Sequence, residues 1–203
     1  MMMLPLSILL GVAGMPLQPV ADTQDTAAVA ECVVDNDLST VRSLLKTVPG
    51  SAAEAKVAAK LIGLYGGCDN NKIVAGGFAW RERAEIAEAA AIHVLEGGKT
   101  PDVAAAATVA SWTFTLPAGA KPPADYDTNS VGMRMLGDCV VRANPQGALA
   151  LIRADRGSAT DAAAVNALSG NFASCLTTGQ TFKLKRQDLR LIVAEPLYHM
   201  LSR

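Results

Sequence analysis

The spacing of the four cysteines in this 203-residue chain predicts an internal duplication. Cys32 and Cys68 lie 36 positions apart, and so do Cys139 and Cys175. A single offset of 107, from 32 to 139 and from 68 to 175, aligns both pairs without a gap. A repeat of this kind predicts two structural units of the same architecture.

The same offset aligns other parts of the sequence. Glu31–Val34 (ECVV) aligns with Asp138–Val141 (DCVV), and Gly50–Ala52 aligns with Gly157–Ala159. Further aligned pairs of identical residues are Leu44 and Leu151, Ala55 and Ala162, Leu61 and Leu168, Gly63 and Gly170, Arg83 and Arg190, Ala87 and Ala194, and Glu88 and Glu195. The alignment therefore extends from the first cysteine almost to the C-terminus.

The composition favours an all-α fold. Half of the residues are hydrophobic, and 36 alanines stand against nine aromatic residues, a mixture that favours closely packed helices over sheets. We predict two pseudo-equivalent four-helix units, residues 22–95 and 130–203, each with an internal disulfide and its own apolar centre. The linker, residues 96–129, has no equivalent in either unit, and is predicted to hold a short helix and a loop rich in Pro, Ala and Gly.

Local signals place the first three helices of each unit. The first helix carries the first cysteine and ends before an N-capping residue, Asp37 or Asn144, which begins the second helix. The third helix begins at a capping box, Ser51–Glu54 in one unit and Ser158–Asp161 in the other.

The fourth helix of the second unit has two apolar faces. It is predicted over about 186–201, and its equivalent in the first unit over about 80–95. Leu191 and Tyr198 lie opposite its main apolar stripe, so this helix needs cover on both sides, from the other unit or from a partner. Pro196 is expected to kink the helix or to begin a separate final turn.

Residues 1–21 have the features of a signal peptide. No charged residue precedes Asp22, and Leu4–Gly14 has the length and apolarity of a signal-peptide core, although the usual N-terminal Lys or Arg is missing. Prolines interrupt the stretch, which is already too short to span a membrane comfortably. We therefore expect a periplasmic or secreted protein without a transmembrane span.

Four cysteines in an exported chain predict disulfides, and three pairings are arithmetically possible. A unit that existed before its duplication had only its own two cysteines. Cys32 with Cys68 and Cys139 with Cys175 is therefore the economical pairing. The alternative is four buried thiols in a cytosolic protein.

Several functional classes find no support in the sequence. The formal net charge is −1 and Lys and Arg form no dense cluster, which argues against a nucleic-acid partner. Neither a cofactor nor a metal site is predicted. Gly98–Thr100 lacks the first glycine of a P-loop, and in residues 125–136 Ser130 and Leu136 stand where a calcium loop needs Gly and Glu. No catalytic signature is present, which leaves enzymatic activity undecided and favours a non-catalytic role.

The best polar candidates for a ligand or interface site are the charged residues kept in both units. Arg83 and Glu88 align with Arg190 and Glu195. Two residues five apart do not share a helical face. Each arginine either anchors a loop carbonyl or helix end in its own unit, or contributes to a binding site at the seam between the units.

The residues ECVV, the TVPGS turn before a capped helix, the second cysteine and AEPLY at Ala194–Tyr198 support a resemblance. The chain resembles uncharacterised small secreted proteins of alphaproteobacteria that contain a duplicated Cys-containing helical unit. This resemblance implies an envelope location and no particular activity. The first unit departs from it at Ala89–Ala91, where the Pro and Tyr are missing, so a role for Tyr198 would belong to the second unit alone.

Two functions are compatible with these features. The first is a non-catalytic helical interaction module of the bacterial envelope, which would bind an envelope protein through the two-faced fourth helix. The alternative is an enzyme or small-ligand-binding protein with a pocket at the seam between the units, using the pairs of Arg and Glu that occur in both units. Contact of the linker around Trp112 with a membrane surface is a third idea, which we do not expect.

Overall fold

The computed structural model describes residues 22–64, 67–68, 80–98, 102–108, 128–176 and 184–203. These residues form eight α-helices and contain no β-strand. The helices are α1 (Asp22–Leu45), α2 (Ala52–Leu64), α3 (Trp80–Glu96), α4 (Val103–Ala107), α5 (Thr128–Ala143), α6 (Pro145–Arg153), α7 (Ala159–Cys175) and α8 (Arg186–Leu201). The predicted all-α fold is confirmed.

Some predictions concern residues outside the described ranges. These are the signal peptide at residues 1–21, Trp112 and most of the loop predicted at residues 117–129, whose last two residues begin α5. They stay predictions.

α1 is bent at Asp37, whose backbone (φ −149°, ψ 67°) is not helical. The Asp37 carboxylate accepts hydrogen bonds from the backbone N–H of Thr40 at 2.9 Å and from its hydroxyl at 2.5 Å, so it caps the second part of the helix. Asn144 has nearly the same conformation (φ −147°, ψ 73°) between α5 and α6, and accepts from the N–H of Gly147 at 2.8 Å. Both predicted N-caps are confirmed.

α2 and α7 begin at the predicted capping motifs. The hydroxyls of Ser51 and Ser158 each accept a hydrogen bond, at 3.1 Å, from the backbone N–H three residues later. The acidic side chain at that later position accepts in turn from the glycine before the serine, Gly50 at 2.5 Å and Gly157 at 3.3 Å. Both glycines have positive φ (73° and 74°), a conformation that residues with a side chain rarely adopt.

Two disulfides link the helices, with the predicted pairing. Cys32 bonds to Cys68 and Cys139 bonds to Cys175, each with 5.9 Å between the Cα atoms. The first bridge ties α1 to the chain after α2, and the second ties α5 to the end of α7. This confirms the pairing that the duplication favoured over four thiols.

The buried apolar residues form one continuous cluster that includes residues of both predicted units. α3 and α8 pack against each other at its centre, α1 covers α3, and α5 and α6 cover α8. Every residue of α3 from Arg83 to Ala91 is buried, so its own unit cannot cover it alone. The expectation that each unit has a separate apolar centre is therefore wrong, because the two central helices need each other.

Cover for both faces of α8 comes from within the chain, and Leu191 and Tyr198 are both buried. The helix continues through Pro196 to Leu201, so this proline does not begin a separate final turn. Among the described residues, no helix combines the length and apolarity that crossing a bilayer requires.

α4 is the short Ala-rich helix predicted in the linker. Asp102 caps it by accepting from the N–H groups of Ala104 and Ala105, each at 3.0 Å. Val103 is buried, and α4 contacts α6 and α8. The helix ends at Ala107.

Candidate functional site

Arg83 is fully buried on α3 and anchors its own unit. Its Nη1 donates to Thr47 Oγ1 and Glu54 Oε1, both at 2.8 Å. Its Nη2 donates to the main-chain carbonyls of Leu45 at 3.2 Å and Thr47 at 3.0 Å. The guanidinium therefore holds together the end of α1 and the start of α2.

Arg190 makes a matching set of contacts from α8. Its Nη1 donates to the carbonyls of Leu151 at 2.8 Å and Ala154 at 2.7 Å, and to Asp161 Oδ1 at 3.1 Å. Its Nη2 donates to the carbonyl of Ile152 at 2.8 Å. The last three of these partners stand 107 positions after partners of Arg83.

Each of the two buried arginines pairs with the buried glutamate of the other unit, an arrangement that we call the exchange of glutamates. Arg83 Nε donates to both carboxylate oxygens of Glu195, at 3.0 and 3.1 Å, and its Nη2 donates to Oε1 at 2.5 Å. Arg190 Nε donates to Glu88 Oε1. All four candidates thus meet at the contact between α3 and α8, which we call the seam. Each arginine both anchors loop carbonyls of its own unit and pairs with a glutamate of the other.

Tyr198, the fifth candidate, lies elsewhere. Its side chain is buried in the apolar core. Its ring meets the His199 ring edge to face, with centroids 5.3 Å apart. Neither cleft described below is lined by it.

Glu195 is a buried carboxylate held ionised by its partners. Burial alone would raise the pKa of Glu195, but Arg83 and Arg134 outweigh burial and hold that pKa well below its ordinary value. Arg134 supplies the second guanidinium, its Nε donating to Glu195 Oε2 at 2.6 Å. Burial likewise acts to lower the pKa of Arg83, but attraction to Glu195 raises it. This arrangement is that of a structural ion pair.

The two ends of the seam differ in what lies beside the glutamate. We call two residues 107 positions apart counterparts. Arg134 occupies the space beside Glu195, with 9% of its side chain exposed. Its counterpart is Ala27, and Ala27 lines a cleft beside Glu88. A methyl group thus stands where a long side chain does at the other end.

Glu88 receives its second guanidinium from Arg156, in the turn before α7. Arg156 Nη2 donates to Glu88 Oε2 at 2.5 Å, and its Nε to Oε1 at 3.2 Å. The same Nη2 also donates to Glu85 Oε2. The counterparts of Arg156 and Glu85 are Pro49 and Ile192, which are buried and uncharged. The pair of Glu85 and Arg156 therefore has no equivalent at the other end.

Glu85 is as deeply buried as Glu88 and Glu195, with 2% of the residue exposed. Burial raises the pKa of Glu85 above its ordinary value, and the hydrogen bond to Arg156 opposes burial without cancelling it. Within the described part of the chain, Oε1 of Glu85 makes no hydrogen bond. Oε1 is open to the clefts that Glu85 lines, so water or a ligand can donate a hydrogen bond to it.

The cleft beside Glu88, which we call the α3 cleft, has a volume of about 420 Å³. It is lined by apolar side chains of α1 and α3, by five acidic residues and by three arginines. The lining residues are Ala27, Glu31, Glu85, Glu88, Ala89, Ile92, Leu95, Glu96, Ile152, Arg153, Ala154, Asp155, Arg156 and Arg190.

A second cleft, which we call the α8 cleft, has a volume of about 460 Å³. It is lined by Ala27, Arg81, Glu85, Arg156, Gly157, Asp161, Arg186, Gln187, Arg190 and Leu191. Both clefts are lined by Glu85 and Arg156, so this ion pair lies between them. Arg156 is 33% exposed, which makes it the accessible member of the buried network.

The chemistry of the described lining suits binding. No described residue of either cleft carries a hydroxyl, thiol, imidazole or amine. The described residues also contain no group of three His, Cys, Asp or Glu side chains arranged to hold a metal ion. What the clefts offer is apolar surface beside fixed carboxylates and guanidinium groups.

Sequence reasoning missed Ala27, Glu85 and Arg156. Four of its five candidates are residues that agree between the units, whereas these three differ from their counterparts. The signal that could have found them was the mismatch itself: a charged residue aligned with an apolar one, or a small residue aligned with a large one.

Comparison of the chain with protein-family models, with curated proteins and with solved structures finds no match. The chemistry of the clefts is therefore the basis on which a function is proposed.

Proposed function

We propose that this chain is an exported protein that arose by duplication of a helical unit and binds a small ligand in the α3 cleft. Two disulfides support export, because such bonds persist in oxidising compartments such as the periplasm. The matching contacts of Arg83 and Arg190 support the duplication.

The observation that carries the binding function is the contrast between Ala27 and Arg134. The buried pairs of Arg and Glu occur at both ends of the seam, so they are explained by stability. The cleft and the pair of Glu85 and Arg156 go beyond that common structure. A volume of about 420 Å³ lies within the range of small-molecule sites, roughly 300–1,000 Å³.

The test is to fill the α3 cleft with the side chain found at the other end. In Ala27→Arg, the new side chain is expected to occupy the cleft as Arg134 occupies the space beside Glu195. Ala59→Arg, on the exposed face of α2, is the matched control because it adds the same side chain away from both clefts. Circular dichroism and melting temperature without ligand check that both variants fold.

Ligand binding is read as a thermal shift with a defined panel of probes: butylguanidinium, agmatine, hexanoate, phosphate and glucose. At least one probe is expected to raise the melting temperature of the wild type and of Ala59→Arg, but not of Ala27→Arg. Equal shifts in all three proteins, or no shift with any probe, would contradict a binding function of this cleft.

The interaction module of the envelope remains a second hypothesis. The two-faced α8 that motivated it is covered by α3, α5 and α6. Met135 is the one large apolar side chain exposed among the described residues. The described surface therefore favours the cleft over a protein partner. Crosslinking in the exporting cell, with one dominant partner recovered, would support the module instead.

A further inference from the structure

The groups around Glu88 carry one more negative charge than positive. Arg190 and Arg156 contribute two guanidinium groups, and the carboxylates that they contact are Glu88, Glu85 and Asp161. When all are ionised, the net charge of this cluster is −1. Glu85 and Glu88 both line the α3 cleft, so the excess lies at its wall.

The equivalent cluster around Glu195 is balanced. Arg83 and Arg134 contact two carboxylates, Glu195 and Glu54. His199 lies 3.9 Å from Glu195. The excess at the other end therefore comes from one residue, Glu85, whose counterpart Ile192 is apolar.

Glu85 lies where a ligand in the α3 cleft would meet it. It lines that cleft, its Oε2 is bonded to Arg156, and its Oε1 makes no hydrogen bond within the described chain. Oε1 is open to the cleft, and a carboxylate accepts hydrogen bonds and donates none, so a ligand group that replaces water there must be a donor. A positively charged donor both makes a hydrogen bond to Oε1 and neutralises the excess negative charge.

The rest of the cleft suits an alkyl stem. Ala27, Ala89, Ile92 and Leu95 supply small and medium apolar surface on α1 and α3. At the other end of the seam, the stem of Arg134 starts from the counterpart of Ala27 and carries a guanidinium to Glu195. The protein thus contains its own example of the chemistry that fits beside such a glutamate.

We infer that the α3 cleft binds a cation at the end of an alkyl chain, a guanidinium or primary ammonium group, with Glu85 as its main acceptor. This inference rests on the proposed binding function and names its ligand class. The alkyl chain packs on Ala27 and Ile92, and the cationic head donates to Glu85 Oε1. Both a free amine and a basic side chain of a peptide present this chemistry.

The experiment compares butylguanidinium with N-butylurea, which has nearly the same shape but no charge, by isothermal titration calorimetry. The cation is expected to bind about 10-fold or more tightly than the urea. The reason is that a hydrogen bond to a charged group contributes more free energy than a neutral one, by an amount that corresponds to about 10-fold in affinity. Glu85→Gln keeps the size and an acceptor for Arg156 and should remove most of the difference. Should that variant not fold, Glu85→Ile introduces the residue found at the counterpart position.

The outcomes separate the two proposals. If another probe of the panel binds and Ala27→Arg abolishes it, while the cation and the urea bind equally or not at all, the inference is wrong and the binding function stands. If no probe responds to Ala27→Arg, both fail. If the cation binds as expected, agmatine and N-acetylarginine amide distinguish the two sources of such a ligand. A site for free amines prefers agmatine, and a site for peptide side chains prefers N-acetylarginine amide.

Discussion

Arg81 donates a hydrogen bond to Asp188, its own counterpart 107 positions along the chain. A residue meets its counterpart only where a local two-fold axis passes between two copies of a unit. The exchange of glutamates between Arg83 and Arg190 follows the same rule, in which residue i contacts j and j contacts i. The seam thus has the organisation of an isologous dimer interface within one chain, which supports the proposed duplication.

The exchange of glutamates predicts that Arg83 and Glu195 are energetically coupled. Arg83→Met should lower the free energy of unfolding by about 3–5 kcal/mol, because it leaves Glu195 buried without its main partner. A double-mutant cycle with Glu195→Gln should give a coupling energy of about 0.5–3 kcal/mol in urea unfolding.

The matched control is a cycle between Arg83 and Glu88, which belong to the same unit and the same helix but bond to different partners. This cycle should give coupling below that of Arg83 with Glu195. A larger coupling within the unit than across the seam would contradict the exchanged pairing.

Each disulfide should stabilise the chain by a similar amount. Each closes a loop of 36 positions, so replacing either pair of cysteines by serine should cost about 3–4 kcal/mol in the chain-entropy picture. Urea unfolding of Cys32→Ser/Cys68→Ser and of Cys139→Ser/Cys175→Ser measures both. A loss below about 1 kcal/mol in one unit only would mean that the units do not depend on their bridges alike.

The sequence predicted the parts of the fold that depend on local chemistry. The caps at Asp37, Asn144, Ser51 and Ser158 were predictable because each needs only a side chain and the backbone N–H groups of the next turn. The disulfide pairing followed from the predicted repeat. The arrangement of the units could not be predicted in this way, because the two units form one core through contacts between residues about 100 positions apart.

The candidate site shows the same division. Arg83 and Arg190 were selected as site candidates because both predicted units keep them, and the structure shows that each donates to main-chain carbonyls of its own unit. Arg156 was not selected, because its role depends on reaching Glu85 and Glu88 across the seam. The spacing of these residues in the sequence does not predict such a contact.

Gly137 should tolerate no side chain, because α5 and α8 approach closely there. A Cβ at this position would lie 2.0 Å from the Ile192 carbonyl oxygen and 3.1 Å from Pro196. Gly137→Ala should therefore destabilise the protein by about 1–3 kcal/mol or more, as overpacking does. Gly132→Ala, on the same helix with open space around it, should be neutral or stabilising by up to about 1 kcal/mol. Thermal unfolding of both variants checks this, and equal effects would contradict the close contact.

Glu195 should make the protein sensitive to acid. Its pKa lies well below the ordinary value of 4.5, so its ionised form favours the folded state. This contribution is complete above pH 4.5 and is lost as the pH falls through the folded-state pKa. Urea unfolding between pH 3 and pH 7 should show a shallower acid decline in Glu195→Gln than in the wild type.

Glu85 should act in the opposite direction, which gives the acid experiment an internal control. Its pKa is raised, so the folded state favours the protonated form, and this stabilisation is lost as the pH rises from 4.5 through the folded-state pKa. Glu85→Gln should therefore gain stability relative to the wild type as the pH rises, whereas Glu195→Gln should lose it. A bound cation should suppress the effect of Glu85, since it favours the carboxylate. Parallel pH profiles for the two variants would mean that the two carboxyl groups do not have the different environments described.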